Sequence, residues 1–404
     1  MTGSTRIFFG WYIVAAVFLI TTITSGLGFY NLSILLNAFV EERSFPVSLT
    51  SAATATFFVS AGVAGVLVGR LIDRFDPRWP LICAAVLGAA CLYAVGYLRE
   101  AWQLFLFHIV FGFAYGAVNL VPMTTLLTRW FNVKRAIALS LASTGFSIGG
   151  ILISPFVALS IERGGLSAAG PWMAALFCIG IVSVVLIAVR ASPEAMGLNP
   201  DGGVRAGDTE MSPVVSLVTY AEAKRSAYFI SLSISYLFVL GAQVGAIAHL
   251  YRLANVRNGV ETAALALAGL ASASLVGRLA GGWIVLKMEV RTFSLLLMAI
   301  QGIALFVLAF ADQRIAILAA VVLFGVTIGN SLIMQPLLLA EKYGTLEYGR
   351  IYSMSQLIGT IGVAGGPLMI GLIYDWAGSY VLPFVAMALA SFAGFFVLWF
   401  GVRR

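Results

Sequence analysis

The sequence predicts an all-α integral membrane protein, with twelve transmembrane helices in two six-helix pseudo-symmetric bundles. Three observations predict it. Of 404 residues, 61% are apolar and only 10% are charged, whereas soluble domains carry about 25% charge. The apolar residues fall into blocks long enough for the roughly 20 residues that a spanning helix needs. Short patterns also recur at nearly one offset along the chain. The composition excludes an ordinary cytosolic enzyme and a disordered chain.

The apolar cores are 11–38, 48–69, 80–98, 102–127, 136–161, 171–189, 227–250, 261–286, 293–311, 315–339, 351–374 and 380–402, taken here as spans 1 to 12. They are rich in Gly and other small residues, as packed membrane helices are. No stretch alternates as the strands of a barrel would. The first block follows Phe8 directly and is too long for a signal h-region, so no cleavable signal is expected. Cys83, Cys91 and Cys178 all lie in apolar blocks without metal-ligand spacing, and they read as reduced structural residues.

Basic residues orient the spans. With the N-terminus inside, 17 of the 24 Lys and Arg fall in inside segments and 6 outside. The excess predicts both termini in the cytoplasm, in a cell membrane read as a bacterial inner membrane. The cationic loops are short and face an anionic leaflet, so the lipid bilayer explains them and no nucleic acid partner is needed. A monomer is expected.

The stretch 190–226 is polar and rich in Gly and Pro. It reads as a cytoplasmic linker between an N-terminal bundle, 1–189, and a C-terminal bundle, 227–404. The bundles repeat. Gly69-x-x-x-Asp73-Arg74-x-x-x-Arg78 closes span 2, and Gly282-x-x-x-Leu286-Lys287-x-x-x-Arg291 closes span 8, 213 positions later. Arg135 opens span 5 and Arg350 opens span 11, 215 positions later, each followed by a similar run to Ser. Duplicated bundles of this kind suit alternating access.

Arg278 is the strongest single signal. It lies about nine residues before Lys287, or roughly 13 Å into the membrane. The fold itself does not demand a charge there, because the repeat-related position is Gly65. The bland reading is a structural ion pair. Every Asp and Glu lies at a span end or in a loop, Glu261 being the first residue of span 8, so the fork of Arg278 is read as a receptor for an external carboxylate.

Gly69-Arg-Leu-Ile-Asp73-Arg74-Phe-Asp76-Pro-Arg78 resembles the loop signature between helices 2 and 3 of the major facilitator superfamily, with Asp76 where a Gly is usual. The Gly-rich run from Gly145 to Pro155 is similar to that family's helix 5 motif. Phe9-Gly10-Trp11, Arg129-Trp130-Phe131, His249-Leu250 and Gly277-Arg278-Leu279 together resemble the branch of monocarboxylate porters and oxalate/formate exchangers. The resemblance implies that Arg278 binds the substrate carboxylate. Animal-type porters carry an Asp one turn earlier, tied to proton coupling; here it is Ser274. The oxalate exchanger carries a second cation in helix 11; the matching residue is Ser355. One cation fits one carboxylate and disfavours dianions.

In that family helices 1, 4, 7 and 10 line the cavity. The resemblance thereby makes Tyr30, Asn31, Tyr115, Asn119 and Asn330 candidate substrate contacts, with Tyr352 and Ser355 of span 11. Each could equally bond a neighbouring helix. His249, near the outer end of span 7, is either the proton-coupling site or an interfacial hydrogen-bonding residue. His108 reads as packed. Asp73 and Arg74 read as gating residues, with Asp73 latching to basic residues such as Arg350 when the inside is closed. No nucleotide loop, nucleophile elbow or metal cluster is visible, and neither enzyme activity nor a cofactor is expected.

The expected function is secondary transport of a small organic monocarboxylate anion, with a proton. The alternatives are an anion exchanger, an efflux carrier of the same fold, or a carboxylate-binding membrane receptor.

Overall fold

The computed structural model describes residues 8–131, 134–202, 219–344 and 347–401. The regular structure of the described residues is helical throughout. In chain order the α-helices are α1 (Gly10–Thr24), α2 (Asn31–Arg43), α3 (Val47–Arg74), α4 (Arg78–Ala94), α5 (Ala101–Ala117), α6 (Leu120–Trp130), α7 (Arg135–Ala188), α8 (Tyr220–Ala223), α9 (Ala227–Ile284), α10 (Val290–Phe310), α11 (Arg314–Tyr343), α12 (Tyr348–Ala377) and α13 (Val381–Gly401). Among the described residues, 10 helical runs are long and apolar enough to cross a membrane.

Two of those runs are too long for one crossing. α7 has 54 residues and α9 has 58, or about 80–87 Å at 1.5 Å per residue, against a hydrocarbon core of roughly 30 Å. Each is interrupted by a glycine in the left-handed region, Gly165 at φ 71° and Gly259 at φ 77°, a conformation that L side chains resist. In α7 the Trp172 indole N–H donates to Ser160 Oγ at 2.8 Å. Twelve residues along a straight helix would separate them by about 18 Å, so α7 folds back at Gly165.

Spans 1 and 4, expected as continuous helices, are each broken. A π turn, Ser25–Phe29, separates α1 from α2. Val118 and Asn119 leave helical geometry between α5 and α6. The residues at fault, Gly26, Gly28 and Asn119, are weak helix formers.

By Cα proximity the chain forms two compact units, 1–31 with 59–211 and 32–58 with 212–404. In the first, a methyl group added to Gly116 would collide with the Ala61 carbonyl, and one added to Gly149 with the Thr22 carbonyl. In the second, Gly329 stands in the same relation to Ser274, and Gly362 to Leu237. Gly116, Ala61 and Gly149 each precede their counterparts by 213 positions, and Thr22 precedes Leu237 by 215. These are the offsets of the sequence repeat. The duplication therefore extends to the glycine seams where helices touch backbone to backbone.

Separate motifs also converge. Trp11 packs against Phe131 at 5.1 Å between ring centroids and Phe9 against Trp130 at 5.5 Å, so the aromatic entry to α1 seats on the end of α6. Arg129 donates to the Ile72 carbonyl at 3.0 Å, capping the last turn of α3. Asp76 accepts from the Arg78 backbone N–H at 3.0 Å and from its guanidinium at 2.6 Å. The turn between α3 and α4 is thus held without the usual glycine.

Two predictions follow from this packing. Gly362→Leu should lower the melting temperature in detergent, at a cost of about 1–3 kcal/mol or more. Gly365→Ala, with nothing within 4 Å, should leave it unchanged or raised. Equal melting temperatures for Gly362→Leu and the parent would contradict the seam. The second prediction concerns Asp76, whose carboxyl is held below the usual range, chiefly by its hydrogen bond with Arg78. A depressed folded-state pKa gives stability that is present above the unfolded value near ~3.9 and lost as pH falls through the folded value. The stability gap between the parent and Asp76→Asn should be largest at pH 7, stay under about 1 kcal/mol at this half-exposed site, and close below pH ~4. A gap constant with pH would contradict it.

Candidate functional site

The irregular backbone of the first unit gathers four of the residues singled out in the sequence. Tyr30 follows the π turn, its N–H reaching back to the Ser25 carbonyl. Its ring is buried, 5.8 Å from that of Phe146. The Tyr115 ring fills the space beside Gly28, where a side chain would collide with it. Tyr115 hydrogen-bonds Asn119 at the α5–α6 break and lies within electrostatic reach of Tyr30. Asn31 donates to the Leu27 carbonyl at 3.0 Å. The side-chain oxygens of Asn31 and Asn119 are buried and meet no donor among the described residues. Lipid cannot supply one. Broken helices in membrane proteins are tolerated where they line a cavity.

In the second unit, Arg278 lies half-buried in the second half of α9. Gly329 of α11 packs against its Cβ and against the Ser274 carbonyl. One turn of this seam is closed by Asn330, whose amide donates to the Gly277 carbonyl at 2.7 Å and to Val326 at 3.2 Å. In this state Asn330 ties α11 to α9 next to Arg278. Ser355 is fully buried between Ser233 Oγ, at 2.8 Å, and the Gln335 amide, at 2.8 Å. It joins α9, α11 and α12. Gln335 was not singled out in the sequence; its partner lies 20 residues away, beyond any local pattern. Tyr352 stacks on Tyr348 with ring centroids 5.8 Å apart.

His249 belongs to a different cluster, around the turn between α2 and α3. It is fully buried. Its Nε2 faces the Pro367 carbonyl at 3.1 Å and Ser51 Oγ at 3.1 Å. Pro367 can only accept, and the Ser51 proton is directed to the Val47 carbonyl at 2.6 Å. Nε2 therefore carries the ring proton, and Nδ1 accepts from the Tyr380 hydroxyl at 3.2 Å. Tyr380 in turn hydrogen-bonds Arg252.

Arg252 corrects a sequence expectation. Span 7, read as 227–250, leaves Arg252 among the six basic residues expected in outside loops, but α9 runs helically past it, and Arg252 is only 8% exposed. Its Nη1 donates to Asn37 Oδ1 at 3.0 Å and to Glu41 Oε1 at 2.8 Å. Beside it the Asp375 carboxylate accepts the Ser48 N–H at the start of α3, at 2.9 Å, where the helix dipole favours an anion. The signal available in the sequence was an Arg one turn beyond His249 on the same helix.

Asp73 and Arg74 lie outside the residues whose side chains are described. Arg350 bonds Glu347 at 3.0 Å and lies over the Tyr220 ring at 4.9 Å; Glu347 also accepts the Tyr220 N–H. His108 is buried, with Nδ1 at 2.9 Å from the Leu104 carbonyl of its own helix. Among the described residues, no group of three His, Cys, Asp or Glu could hold a metal ion.

With this geometry in hand, known proteins give a consistent family. The chain is 24% identical over 401 residues to "Monocarboxylate transporter 13" of Bos taurus, covering 96% of this chain and 88% of that one. It is 26% identical over 352 residues to an "MFS-type transporter" of Gibberella moniliformis, covering 83% and 78%. Among solved structures, a bacterial homologue of the human lysosomal transporter Spinster, in an inward-facing and occupied conformation, superposes with a TM-score of 0.74. Its identity is 14%, with 98% of each chain covered, and this likeness concerns the fold alone. The profile of the Major Facilitator Superfamily matches residues 18–367, and the chain belongs to that superfamily of membrane transporters.

Proposed function

We propose that this protein carries a small organic monocarboxylate across a membrane by alternating access, with Arg278 receiving the carboxylate. The observation that carries the reading is a permanent cation set within the otherwise uncharged run 262–286, beside a glycine seam that brings α11 against it. Holding a guanidinium there costs about 2.5–3.5 kcal/mol on insertion scales. A carboxylate ligand offsets that cost through a bidentate, charge-assisted pair.

The architecture that serves this function is twelve spans, with α7 and α9 each counting as two. They form halves 1–189 and 227–404 joined by the linker 190–226. Both termini lie in the cytoplasm, the membrane is a bacterial inner membrane, and the monomer is the working unit. The cluster around the α2–α3 turn is then the outer end. A proton travels with the substrate, and His249 carries it. Protonation turns Nδ1 into a donor, which the Tyr380 hydroxyl accommodates by rotating. A substrate anion favours that charge, and the linkage is reciprocal. Export of an amphipathic anion is the second reading, favoured by the 28% identity over 224 residues, 54% of this chain, to a "Fujikurins efflux protein" of Gibberella fujikuroi; the direction of net flux in oriented vesicles separates the two.

Arg278→Lys keeps the charge and loses the fork. It should reduce saturable monocarboxylate uptake into proteoliposomes by about tenfold or more while the protein stays folded. Parent-like uptake by Arg278→Lys and Arg278→Ala would overturn the assignment. His249→Gln should retain counterflow exchange and lose accumulation driven by an inward proton gradient. Accumulation equal to the parent would remove His249 as the carrier.

A further inference from the structure

Arg252 stands apart from the carboxylate site assigned to Arg278, yet it already holds a carboxylate. Glu41 reaches it from the aqueous side: the Glu41 side chain is 55% exposed and that of Arg252 is 9%. Asn37 supplies a second acceptor to the same Nη1. The Nε of Arg252 is buried and meets no acceptor among the described residues. The guanidinium is therefore only partly used by its internal partners, in a place where an unused N–H is costly.

We infer that Arg252 is an outer binding station for the substrate carboxylate, occupied by Glu41 while the segment 32–58 is latched onto α9 and α12. This inference rests on the carboxylate-transport reading above. The latch consists of four further bonds besides Glu41–Arg252, one of them His249 Nε2–H to Ser51 Oγ at 3.1 Å. Asn37 accepts from Arg252, Ser33 Oγ accepts the Tyr251 N–H at 3.0 Å, and Asp375 accepts the Ser48 N–H. Each is polar and replaceable by water, so none holds the latch without the others. Access from the outside requires segment 32–58 to leave. Arg252 then loses Asn37 and Glu41 together and is left as a cation at the outer mouth.

An incoming monocarboxylate presents the same group as Glu41. Unlike Glu41 in the latched state, it can engage Nε and a terminal nitrogen at once, in the fork geometry that arginine favours. It binds only where Glu41 has withdrawn, so it prefers the unlatched state and shifts the population toward it. Anion arrival and gate opening are thereby one competition, with Glu41 as the resident competitor.

The test uses the protein in proteoliposomes, with labels on Glu42→Cys and Trp376→Cys, both exposed near the latch. The distance distribution is measured without and with external acetate, propionate or benzoate. In the parent, at least one of these acids should increase the separated population. Glu41→Gln should be more separated without acid and respond at about tenfold lower acid concentration, the size of one charge-assisted bond. Arg252→Gln should not respond to acid at all. Should Arg252→Gln fail to fold, Glu41→Gln decides alone. An unmoved distribution in the parent with all three acids, or a parent-like response in either variant, overturns the proposal. The Arg278 reading fails separately: it is lost if Arg278→Lys leaves uptake intact, whereas acid-driven unlatching should persist in Arg278→Lys.

Discussion

Lipid neither donates nor accepts hydrogen bonds, so every polar group in a span must be satisfied within the protein or serve a function that offsets its cost. Most polar side chains here comply locally. Ser51, Thr54, Ser294, Ser331 and Ser391 each return their hydroxyl to the carbonyl four residues earlier. Gln301 and Asn330 use their amides to join neighbouring helices. Against that background some groups stand out among the described residues: the buried cation Arg252, the histidine bonded at both ring nitrogens, and the buried side-chain oxygens of Asn31, Asn119, Gln243 and Gln301.

The same constraint explains the glycine seams. Apolar side chains gain nothing from leaving lipid for one another, so helices associate through close backbone approach. Gly116 on Ala61 and Gly329 on Ser274 are one contact made twice. The duplicated seam sets where a side chain can sit beside it. In the second unit it seats Arg278 against Gly329; the repeat-related place in the first unit, Gly65, carries no charge. That asymmetry is what the proposed role of Arg278 builds on.

Much of the fold was legible because apolar block length and the repeat offset are properties of the chain itself. The polar network was less so. Arg252 looked like a loop residue because hydropathy falls after Leu250, although α9 continues to Asn258 and Gly259 before helical geometry is lost. The π turn after Thr24 was hidden because Ser and Gly are ordinary in membrane helices. The roles of Ser355 and Gln335 depend on Ser233, which is 122 positions from Ser355, and no spacing announces that. His249 was singled out by position, but its partners Ser51, Pro367 and Tyr380 come from α3, α12 and the turn before α13. Those links tie α9 to segment 32–58 and to α12, a context its position alone did not reveal.

The account turns on recognition of a single negative charge. Its most direct measurement is competition for uptake of a labelled monocarboxylate by proteoliposomes containing the parent protein. Each competing acid is paired with its neutral amide, nearly the same in shape. The account predicts that acids compete and their amides do not. Equal competition by acid and amide, or none by any acid, would contradict it.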